Sequence, residues 1–300
     1  MRYSEKVAGI PWETIEAIRA RLERSVALHY IDGRFVESET TFPTLDPSTN
    51  RVLSHAARGG AKEVDLAAQA AARAFERWGR TRAKERKKYL LKVAELIEKH
   101  ADELAVIECL DAGQVLRIVR AQVGRAAENF AFYAEYAEHV MEGHTYPVDR
   151  EWLNYTLRVP VGPVGVITPW NAPLMLSTWR IAPALAAGNT VILKPAEWSP
   201  LTATRLAEIF QEADLPPGVF NLVHGFGEEA GAALVDHPLV PLITLTGETT
   251  TGKIVMQNAA KHLKRLSLEL GGKSPAVVFR DADLDRALDA VGFQMYAFTG

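Results

Sequence analysis

An amide side chain suited to stabilising negative charge follows a short apolar run in the middle of the chain. The run covers residues 164–168, and Asn171 comes soon after it in the motif Pro169-Trp170-Asn171. The amide nitrogen of asparagine could donate a hydrogen bond to a developing oxyanion without exchanging a proton. The alternative is that Asn171 forms a turn or caps a helix.

Two oppositely charged side chains follow the next apolar run, residues 190–193. Lys194 and Glu197 belong to the motif Lys-Pro-Ala-Glu. The lysine could donate to a phosphate or ribose oxygen, and the carboxylate could accept hydrogen bonds from ribose hydroxyls. The alternative is an ion pair in a solvated loop.

A further carboxylate, Glu269, lies near the end of the run 265–270, and two glycines, Gly271 and Gly272, follow that run. Paired glycines allow very close approach to the backbone. A glutamate among apolar neighbours would have a raised pKa and could act as a general base. The alternative is a carboxylate at a strand end that pairs with a nearby cation.

Two glycine-rich turns offer backbone N–H groups. The stretch 246–252 (Thr-Gly-Glu-Thr-Thr-Thr-Gly) follows a predicted strand and opens a predicted helix, a context that favours an anion such as a dinucleotide pyrophosphate. The full Gly-x-Gly-x-x-Gly pattern is absent, so a simple tight turn is an equal alternative. The stretch 224–231 (His-Gly-Phe-Gly-Glu-Glu-Ala-Gly) is a second turn of the same kind.

The elements that must position these residues begin with residues 161–197, whose pattern predicts strand, turn, helix, turn and strand. Pro173 suits the first turn of the helix, and Gly188 suits the position after its last turn. A membrane span over residues 159–179 is excluded because prolines interrupt that uncharged stretch. Regular alternation from 161 to 270 predicts an α/β fold with an open, doubly wound parallel sheet.

Other segments have weaker patterns. A hairpin is predicted around Asp32-Gly33, and residues 143–160 are predicted to be an extended excursion with a turn at Asp149-Arg150. Ser199 is predicted to cap a helix. The aromatic stripe of the long helix is interpreted as packing surface. The other predictions are helices near 12–24, 61–78, 83–100, 102–110 and 115–141, strands at 219–223, 242–245, 265–270 and 274–279, and a last helix from 281.

Composition excludes several classes of function. The formal net charge of −3 gives no electrostatic case for nucleic acid or an acidic membrane as a partner. The first residues lack an apolar signal segment, so a cytoplasmic location is expected. Cys109 is the only cysteine, and the histidines show no ligand spacing, so no disulfide within the chain and no metal site are expected. Cys109 itself is interpreted as a buried apolar cysteine.

Four motifs, in this order and spacing, resemble the aldehyde dehydrogenase superfamily over residues 30–300. They are PWNAP, LKPAEWSP, the LTG…G turn and LELGGKSP. The resemblance implies a Rossmann-like fold with a helical N-terminal region and a protruding β-hairpin. It divides the chain into an NAD-binding domain (1–142 and 161–270), an oligomerisation hairpin (143–160) and the start of a catalytic domain (271–300).

The resemblance implies NAD-dependent oxidation of an aldehyde to a carboxylic acid through a cysteine thioester. Asn171 would be the oxyanion donor, Glu269 the general base, and Arg180 a support for the catalytic end of the site. Lys194 and Glu197 would hold the adenosine ribose, and Glu197 would disfavour the 2′-phosphate of NADP. The expected cofactor-binding positions are Ile167, Thr168, Pro169, Trp170, Lys194, Glu197, Gly227, Gly231, Thr246, Gly247, Leu270 and Gly271.

The chain departs from the family pattern in two places. Glu248 follows Gly247 where the family usually has serine, which puts a side-chain phosphate contact there in doubt. This variant, together with ECLDAGQ (108–114), resembles the branch that oxidises 5-carboxymethyl-2-hydroxymuconate semialdehyde. The family's nucleophilic cysteine is expected just beyond Gly300, together with the rest of the catalytic domain.

Two kinds of function therefore remain open. One is an aldehyde dehydrogenase that forms a homodimer or homotetramer when full length, of which this chain carries the cofactor half. The other is a non-catalytic domain or fragment that binds NAD without turnover.

Overall fold

The computed structural model describes residues 6–139, 143–148 and 150–297. Its α-helices are α1 (Trp12–Leu22), α2 (Ala61–Trp78), α3 (Ala83–Lys99), α4 (Ala101–Ala112), α5 (Leu116–Tyr136), α6 (Pro173–Ala186), α7 (Leu201–Glu212), α8 (Ala232–Asp236), α9 (Thr249–Ala259) and α10 (Leu284–Tyr296). A single π-helical turn, Gly227–Gly231, precedes α8, and a 3₁₀ turn, Ala260–His262, follows α9. Its strands are β1 (Lys6–Val7), β2 (Ile10–Pro11), β3 (Val26–Ala27), β4 (His29–Ile31), β5 (Arg34–Val36), β6 (Thr41–Asp46), β7 (Arg51–Ala57), β8 (Thr145–Tyr146), β9 (Asn154–Tyr155), β10 (Pro163–Ile167), β11 (Thr190–Lys194), β12 (Phe220–Leu222), β13 (Leu242–Gly247) and β14 (Arg265–Leu270).

A seven-stranded sheet organises the fold, with the strand order β14-β13-β10-β11-β12-β4-β5. The five strands from β14 to β12 are parallel. The chain runs outward from β10 through β11 to β12, then returns to the other side of β10 to form β13 and β14. The sheet therefore reverses its winding between β10 and β13, which confirms the doubly wound prediction and defines a crevice where ligands bind in such folds.

Helices cover both faces of the sheet, as the alternation along β11 shows. Val191 and Leu193 point into the core that β11 shares with α3 to α7, whereas Ile192 points into the core formed with α2, α8 and α9. Successive strand residues face opposite sides, so a strand buried on both faces needs the continuous apolar run that β11 has.

The predicted hairpin around Asp32-Gly33 is confirmed, and it extends the main sheet. Asp32 (φ 52°) and Gly33 (φ 79°) both have left-handed conformations, as a two-residue hairpin turn requires. Strand β4 pairs antiparallel with β12 through Tyr30 and Leu222. The N-terminal region is thus not only helical, because it supplies the antiparallel edge of the sheet.

The helix boundaries around the first βαβ unit also agree with the prediction. Pro173 is the first residue of α6, where its missing N–H costs nothing. Gly188 lies just past the end of α6 with φ of 88°, the left-handed conformation that ends many helices.

Two local predictions are wrong, and a third is correct only in part. Residues 274–279 are exposed and form no strand, because no partner strand lies beside them among the described residues. Ser199 does not cap α7, which begins at Leu201. The aromatic stripe of α5 packs only in part: Phe130 is buried, whereas Phe132 is exposed.

The excursion 143–160 contains a very short hairpin. Strand β8 pairs antiparallel with β9, and both are exposed. Asp149, half of the predicted turn, lies outside the described residues. No helix in the described part of the chain is both long and apolar enough to cross a membrane.

Candidate functional site

The predicted site residues meet at the carboxyl edge of the parallel sheet. Thr246 on β13 pairs in register with Glu269 on β14, and Ile167 at the end of β10 pairs with both Leu245 and Lys194. The motif residues that follow these strand ends are therefore brought together on both sides of the crevice between β10 and β13. This is the arrangement that the sequence predicted.

The main chain around Asn171 is held on several sides. The carbonyl of Asn171 accepts a hydrogen bond from Gln114 Nε2, and the carbonyl of Trp170 accepts one from Ser199 Oγ at 3.3 Å. The Asn171 side chain is exposed, and no hydrogen-bond partner for it lies within 6–139, 143–148 or 150–297. Its amide is available to an incoming group, as an oxyanion donor requires.

Thr168 and its neighbours offer backbone rather than side-chain groups. Thr168 is buried, its hydroxyl lies 3.2 Å from Ser177 Oγ, and its N–H donates to the Lys194 carbonyl. Its side chain is therefore turned away from any groove. Trp170 is exposed, and Pro169 is half-buried.

Arg180 lies on α6 and reaches across to the sheet. Its Nη2 and Nε atoms donate to Thr246 Oγ1 at 3.1 and 3.3 Å, and Nη1 donates to Ser267 Oγ at 3.4 Å. The guanidinium therefore connects α6 to both β13 and β14. Its donors are directed at the hydroxyls of Ser267 and of Thr246, a predicted cofactor-binding residue, so it can act on the site by holding Thr246 in place.

Glu269 differs from its predicted environment. It is exposed on β14, the edge strand of the sheet, and the predicted apolar surroundings are absent among the described residues. The next residue, Leu270, packs on α9: a Cβ added at Gly252 would lie 2.7 Å from Leu270 Cδ2. Gly252 therefore permits close packing of helix on strand at the end of β14.

Lys194 and Glu197 form an ion pair with a distance of 2.9 Å between Nζ and Oε2. The ion pair was the alternative interpretation from sequence, but it is not a solvated one, because Lys194 is only 3% exposed. A buried ammonium needs its counter-ion, whereas the Glu197 carboxylate remains partly accessible. The pair offers one fixed cation and one accessible acceptor at the end of β11.

Two buried histidines, His29 and His224, lie near Lys194. Burial lowers the pKa of His29 to about 4, and burial together with His29 and Lys194 lowers the pKa of His224 well below its usual range. His224 Nε2 lies 2.9 Å from Thr204 Oγ1, and the main-chain N–H of His224 donates to His29 Nδ1. Both imidazoles are neutral near pH 7, so they add no charge beside Lys194.

The glycine-rich turns leave open space. A Cβ added at Gly227 would meet nothing within 4 Å, and one at Gly247 would meet only Leu245, at an ordinary distance of 3.5 Å. Gly231 and Gly271 are similarly uncrowded. The fold itself demands glycine instead at Gly225, where φ is 146° and a Cβ would lie 2.5 Å from the Gly59 carbonyl oxygen.

Helix α9 starts at the crevice. Glu248 precedes it with an exposed side chain that makes no capping hydrogen bond. The N–H groups of the first turn, beginning at Thr249, are therefore not satisfied by that side chain and can serve an anion. Backbone contact with a diphosphate is possible here while the Glu248 side chain extends into solvent.

Sequence reasoning missed the buried polar residues of α4 and the turn that follows it. Glu108 accepts from the N–H of Leu174 at 3.0 Å, and Asp111 accepts from the N–H of Leu201 at 2.8 Å. Burial raises the pKa of Glu108 to about 7 and raises the pKa of Asp111 well above its usual value. Two acids three residues apart in the otherwise apolar second half of α4 (residues 104–112) were the available signal.

Cys109, on the same helix, is half-buried. Burial raises the pKa of its thiol, so little thiolate is present near neutral pH. The predicted buried apolar cysteine is thus confirmed only in part, since the side chain is half-buried and packs against the core. No cluster of three or more potential metal ligands occurs among the described residues.

Comparison with known proteins identifies the arrangement. The aldehyde dehydrogenase family model matches residues 35–300. The 5-carboxymethyl-2-hydroxymuconate semialdehyde dehydrogenase of Escherichia coli is 44% identical over 273 residues, covering 91% of this chain and 58% of the relative.

Solved structures agree with this match. HpcC from Thermus thermophilus is 78% identical with a TM-score of 0.98, and the alignment covers 100% of this chain and 59% of that one. The NAD+ complex of an aldehyde dehydrogenase from Bacillus cereus is 40% identical with a TM-score of 0.89, covering 93% and 58% of the two chains. This chain thus spans less than two thirds of the relatives it matches, and it belongs to the aldehyde dehydrogenase family.

Proposed function

We propose that this chain supplies the NAD-binding part and two catalytic groups of an NAD-dependent aldehyde dehydrogenase. The observation that carries the proposal is the convergence of Asn171, Glu269 and the Lys194–Glu197 pair at one carboxyl edge, around the crevice between β10 and β13. Ligands bind at this point in doubly wound folds. An exposed amide, an exposed carboxylate and a cation–carboxylate pair are the groups that the reaction needs.

The residues at this edge fit a dinucleotide. Gly227 and Gly247 leave space over the turns, and the first turn of α9 presents backbone N–H groups. Lys194 and Glu197 would hold the adenosine ribose, with Glu197 accepting from its hydroxyls. A 2′-phosphate would lie against that carboxylate, which favours NAD over NADP. When bound, the cofactor supplies the hydride acceptor of the oxidation.

The chain's own residues would act on either side of the reacting carbon. The Asn171 side chain would donate to the oxygen that becomes negatively charged. Glu269 would take a proton from the water that hydrolyses the thioester. Arg180 would act indirectly by fixing Thr246. By the family resemblance the nucleophile would be a cysteine beyond Gly300; Cys109 is not proposed for this role, because it is half-buried on α4 and burial raises the pKa of its thiol.

The finer proposal for the substrate is a semialdehyde from aromatic breakdown. Its support is the similarity to the 5-carboxymethyl-2-hydroxymuconate semialdehyde dehydrogenase of E. coli and the Gly247-Glu248-Thr249 turn, which resembles that branch. For the 300-residue chain by itself we propose NAD binding without turnover, since the required thiolate is not available from Cys109.

The experiment compares two proteins. The first is the 300-residue chain, and the second, here named the extended chain, continues past Gly300 with the C-terminal residues of the Thermus thermophilus relative. Calorimetry with NAD should show binding to both, and NADH formation from a panel of semialdehydes should occur only with the extended chain. A folded extended chain that binds NAD but oxidises no aldehyde would contradict the dehydrogenase proposal. Turnover by the 300-residue chain would contradict the proposal that this chain binds NAD without turnover.

Assembly is a separate proposal. The hairpin of β8 and β9 exposes Trp152 and Leu153, each 76% exposed, and we propose that it joins subunits of a homodimer or homotetramer. Sedimentation of the extended chain tests this: a Trp152→Ser variant should shift the mass towards the monomer, whereas a parent that is already monomeric would contradict it. The domain boundaries and the cytoplasmic location stay predictions.

A further inference from the structure

Three buried polar side chains occur at intervals of three residues along α4 and the turn after it. Glu108, Asp111 and Gln114 are 1%, 2% and 3% exposed. Glu108 and Asp111 are three residues apart on α4 and lie on one side of the helix, whereas Gln114 follows in the turn after it. Each of them bonds to the main chain of a segment that leads to or from the carboxyl edge.

The two carboxyl groups hold the starts of two helices. The N–H groups of the first helical turn have no partner within their own helix, and burying them unsatisfied is costly. Glu108 accepts from Leu174 in the first turn of α6, and Asp111 accepts from Leu201, the first residue of α7. These bonds fix α6 and α7 relative to α4.

Gln114 acts closer to the site. Gly113, in the left-handed conformation (φ 72°), ends α4 and turns the chain, and a Cβ there would lie 2.7 Å from Pro47 Cγ. After this turn Gln114 Nε2 donates to the carbonyl of Asn171. The Oε1 atom of Gln114 is buried without a partner among the described residues. The contact with Asn171 is therefore the bond that accounts for a buried amide at this position.

The Asn171 amide takes its position from the main chain. Its side chain has no hydrogen-bond partner in the described part of the chain, so nothing but the main chain sets where the Cα–Cβ bond points. An oxyanion donor must be placed within a few tenths of an ångström to be effective, because hydrogen bonds weaken steeply with misalignment. A bond to the Asn171 carbonyl restricts the peptide that carries this side chain.

We propose that Gln114 is a positioning residue for the Asn171 amide, with Glu108 and Asp111 fixing the helices on either side. This proposal rests on the proposed function in one respect, since Asn171 is taken to be the oxyanion donor. Gln114 touches neither substrate nor cofactor in this scheme. It acts through the peptide of Asn171.

The kinetic test uses the extended chain with Gln114→Met, which keeps the side-chain volume and removes the donor. We expect kcat to fall about tenfold while the Kd for NAD changes less than about twofold, because the loss concerns transition-state contacts only. In an Asn171→Ala background, Gln114→Met should have no further effect on kcat, since the two residues act as one unit. Independent, additive losses in the double variant would overturn the proposal.

The matched control is Gln122→Met on α5. Gln122 is 4% exposed and its side-chain atoms have no partner among the described residues, so the variant changes an equally buried glutamine away from Asn171. Its kcat should match the parent. A loss equal to that of Gln114→Met would assign both effects to general core disturbance and would overturn the proposal.

A second measurement needs no activity and uses the 300-residue chain. Hydrogen–deuterium exchange should become faster in the peptide that covers 169–176 in Gln114→Met, and should be unchanged there in Gln122→Met. Unchanged exchange in Gln114→Met would overturn the proposal whatever the kinetics. If the extended chain oxidises no aldehyde while this exchange difference is found, the proposed function fails and the positioning contact stands.

Discussion

Arg180 on α6 donates two hydrogen bonds to the hydroxyl of Thr246 on β13, at 3.1 and 3.3 Å. Its remaining terminal nitrogen reaches Ser267 on β14 at 3.4 Å. Helix α6 begins two residues after Asn171, and β14 carries Glu269. One guanidinium thus ties together the elements that carry the two candidate catalytic groups, on opposite sides of the crevice.

Replacing Arg180 by lysine should separate charge from geometry. An ammonium is a point donor and cannot reproduce a planar fork that engages two hydroxyls at once. In the extended chain, Arg180→Lys should lower kcat about tenfold, with a change in unfolding free energy below about 1 kcal/mol because the cation is partly exposed. Steady-state kinetics and urea unfolding measure the two. Arg73→Lys, in an exposed ion pair with Asp32, is the control that should leave kcat unchanged. A parent-like kcat for Arg180→Lys would contradict a role for Arg180 in holding Thr246 and Ser267.

Glu108→Gln should change how stability depends on pH. Burial raises the pKa of Glu108 from 4.5 to about 7, so the folded state holds this proton more tightly than the unfolded state. The stability that protonated Glu108 contributes is therefore present below pH 4.5 and lost as pH rises towards 7, by about 3 kcal/mol in total. The glutamine side chain of the variant keeps an acceptor for the N–H of Leu174 and does not ionise.

Urea unfolding at about pH 5 and about pH 8 should thus show that the unfolding free energy of Glu108→Gln, relative to that of the parent, increases as pH rises. Comparing the two proteins cancels the contributions of His29 and His224, which titrate in both. Glu95→Gln, on the exposed side of α3, is the control: its unfolding free energy relative to the parent should be the same at both pH values. A pH-independent difference between Glu108→Gln and the parent would contradict the prediction.

Much of this fold could be predicted because it is encoded locally. Apolar runs of strand length, alternating with helical spacing, place β10, β11 and β13 in the parallel sheet. The rule that parallel strands end at one edge then brings Asn171, Lys194 and Glu269 together. These inferences need only neighbours along the chain and a general property of parallel sheets.

What could not be predicted depends on distant partners. Ser199 has the local signature of a cap, yet the N–H of Leu201 is satisfied by Asp111, ninety residues away in sequence. Glu269 follows an apolar pattern, yet β14 is an edge strand, so its side chain faces solvent. Likewise, residues 274–279 have strand-like composition but no neighbouring strand to pair with among the described residues.

Glu197 should control the choice between NAD and NADP. Glu197→Gln keeps an acceptor for Lys194 and removes the charge that would repel a 2′-phosphate. By calorimetry the Kd for NAD should rise about threefold and the Kd for NADP should fall. The ratio of the Kd for NADP to the Kd for NAD should therefore decrease about tenfold. Glu76→Gln, an exposed change on α2, should alter neither constant. If the ratio of the two Kd values is unchanged in Glu197→Gln, the adenosine ribose does not bind beside Glu197.

Gly227→Ala separates a ligand requirement from a folding requirement. A methyl group there meets no atom of the chain within 4 Å, and φ is not left-handed, so folding should tolerate it. If a dinucleotide passes close to this turn, the same methyl group meets the ligand, and the Kd for NAD should rise about tenfold with unchanged or slightly higher stability. Gly124→Ala on α5 also adds a methyl group in open space, remote from the carboxyl edge, and should leave NAD binding intact. Calorimetry measures NAD affinity and thermal melting measures stability for the parent and both variants. Equal NAD affinity for the parent and Gly227→Ala would show that this segment does not contact the cofactor. A loss of NAD affinity in Gly227→Ala alone, with stability kept, would show that glycine is needed here for the ligand and not for the fold.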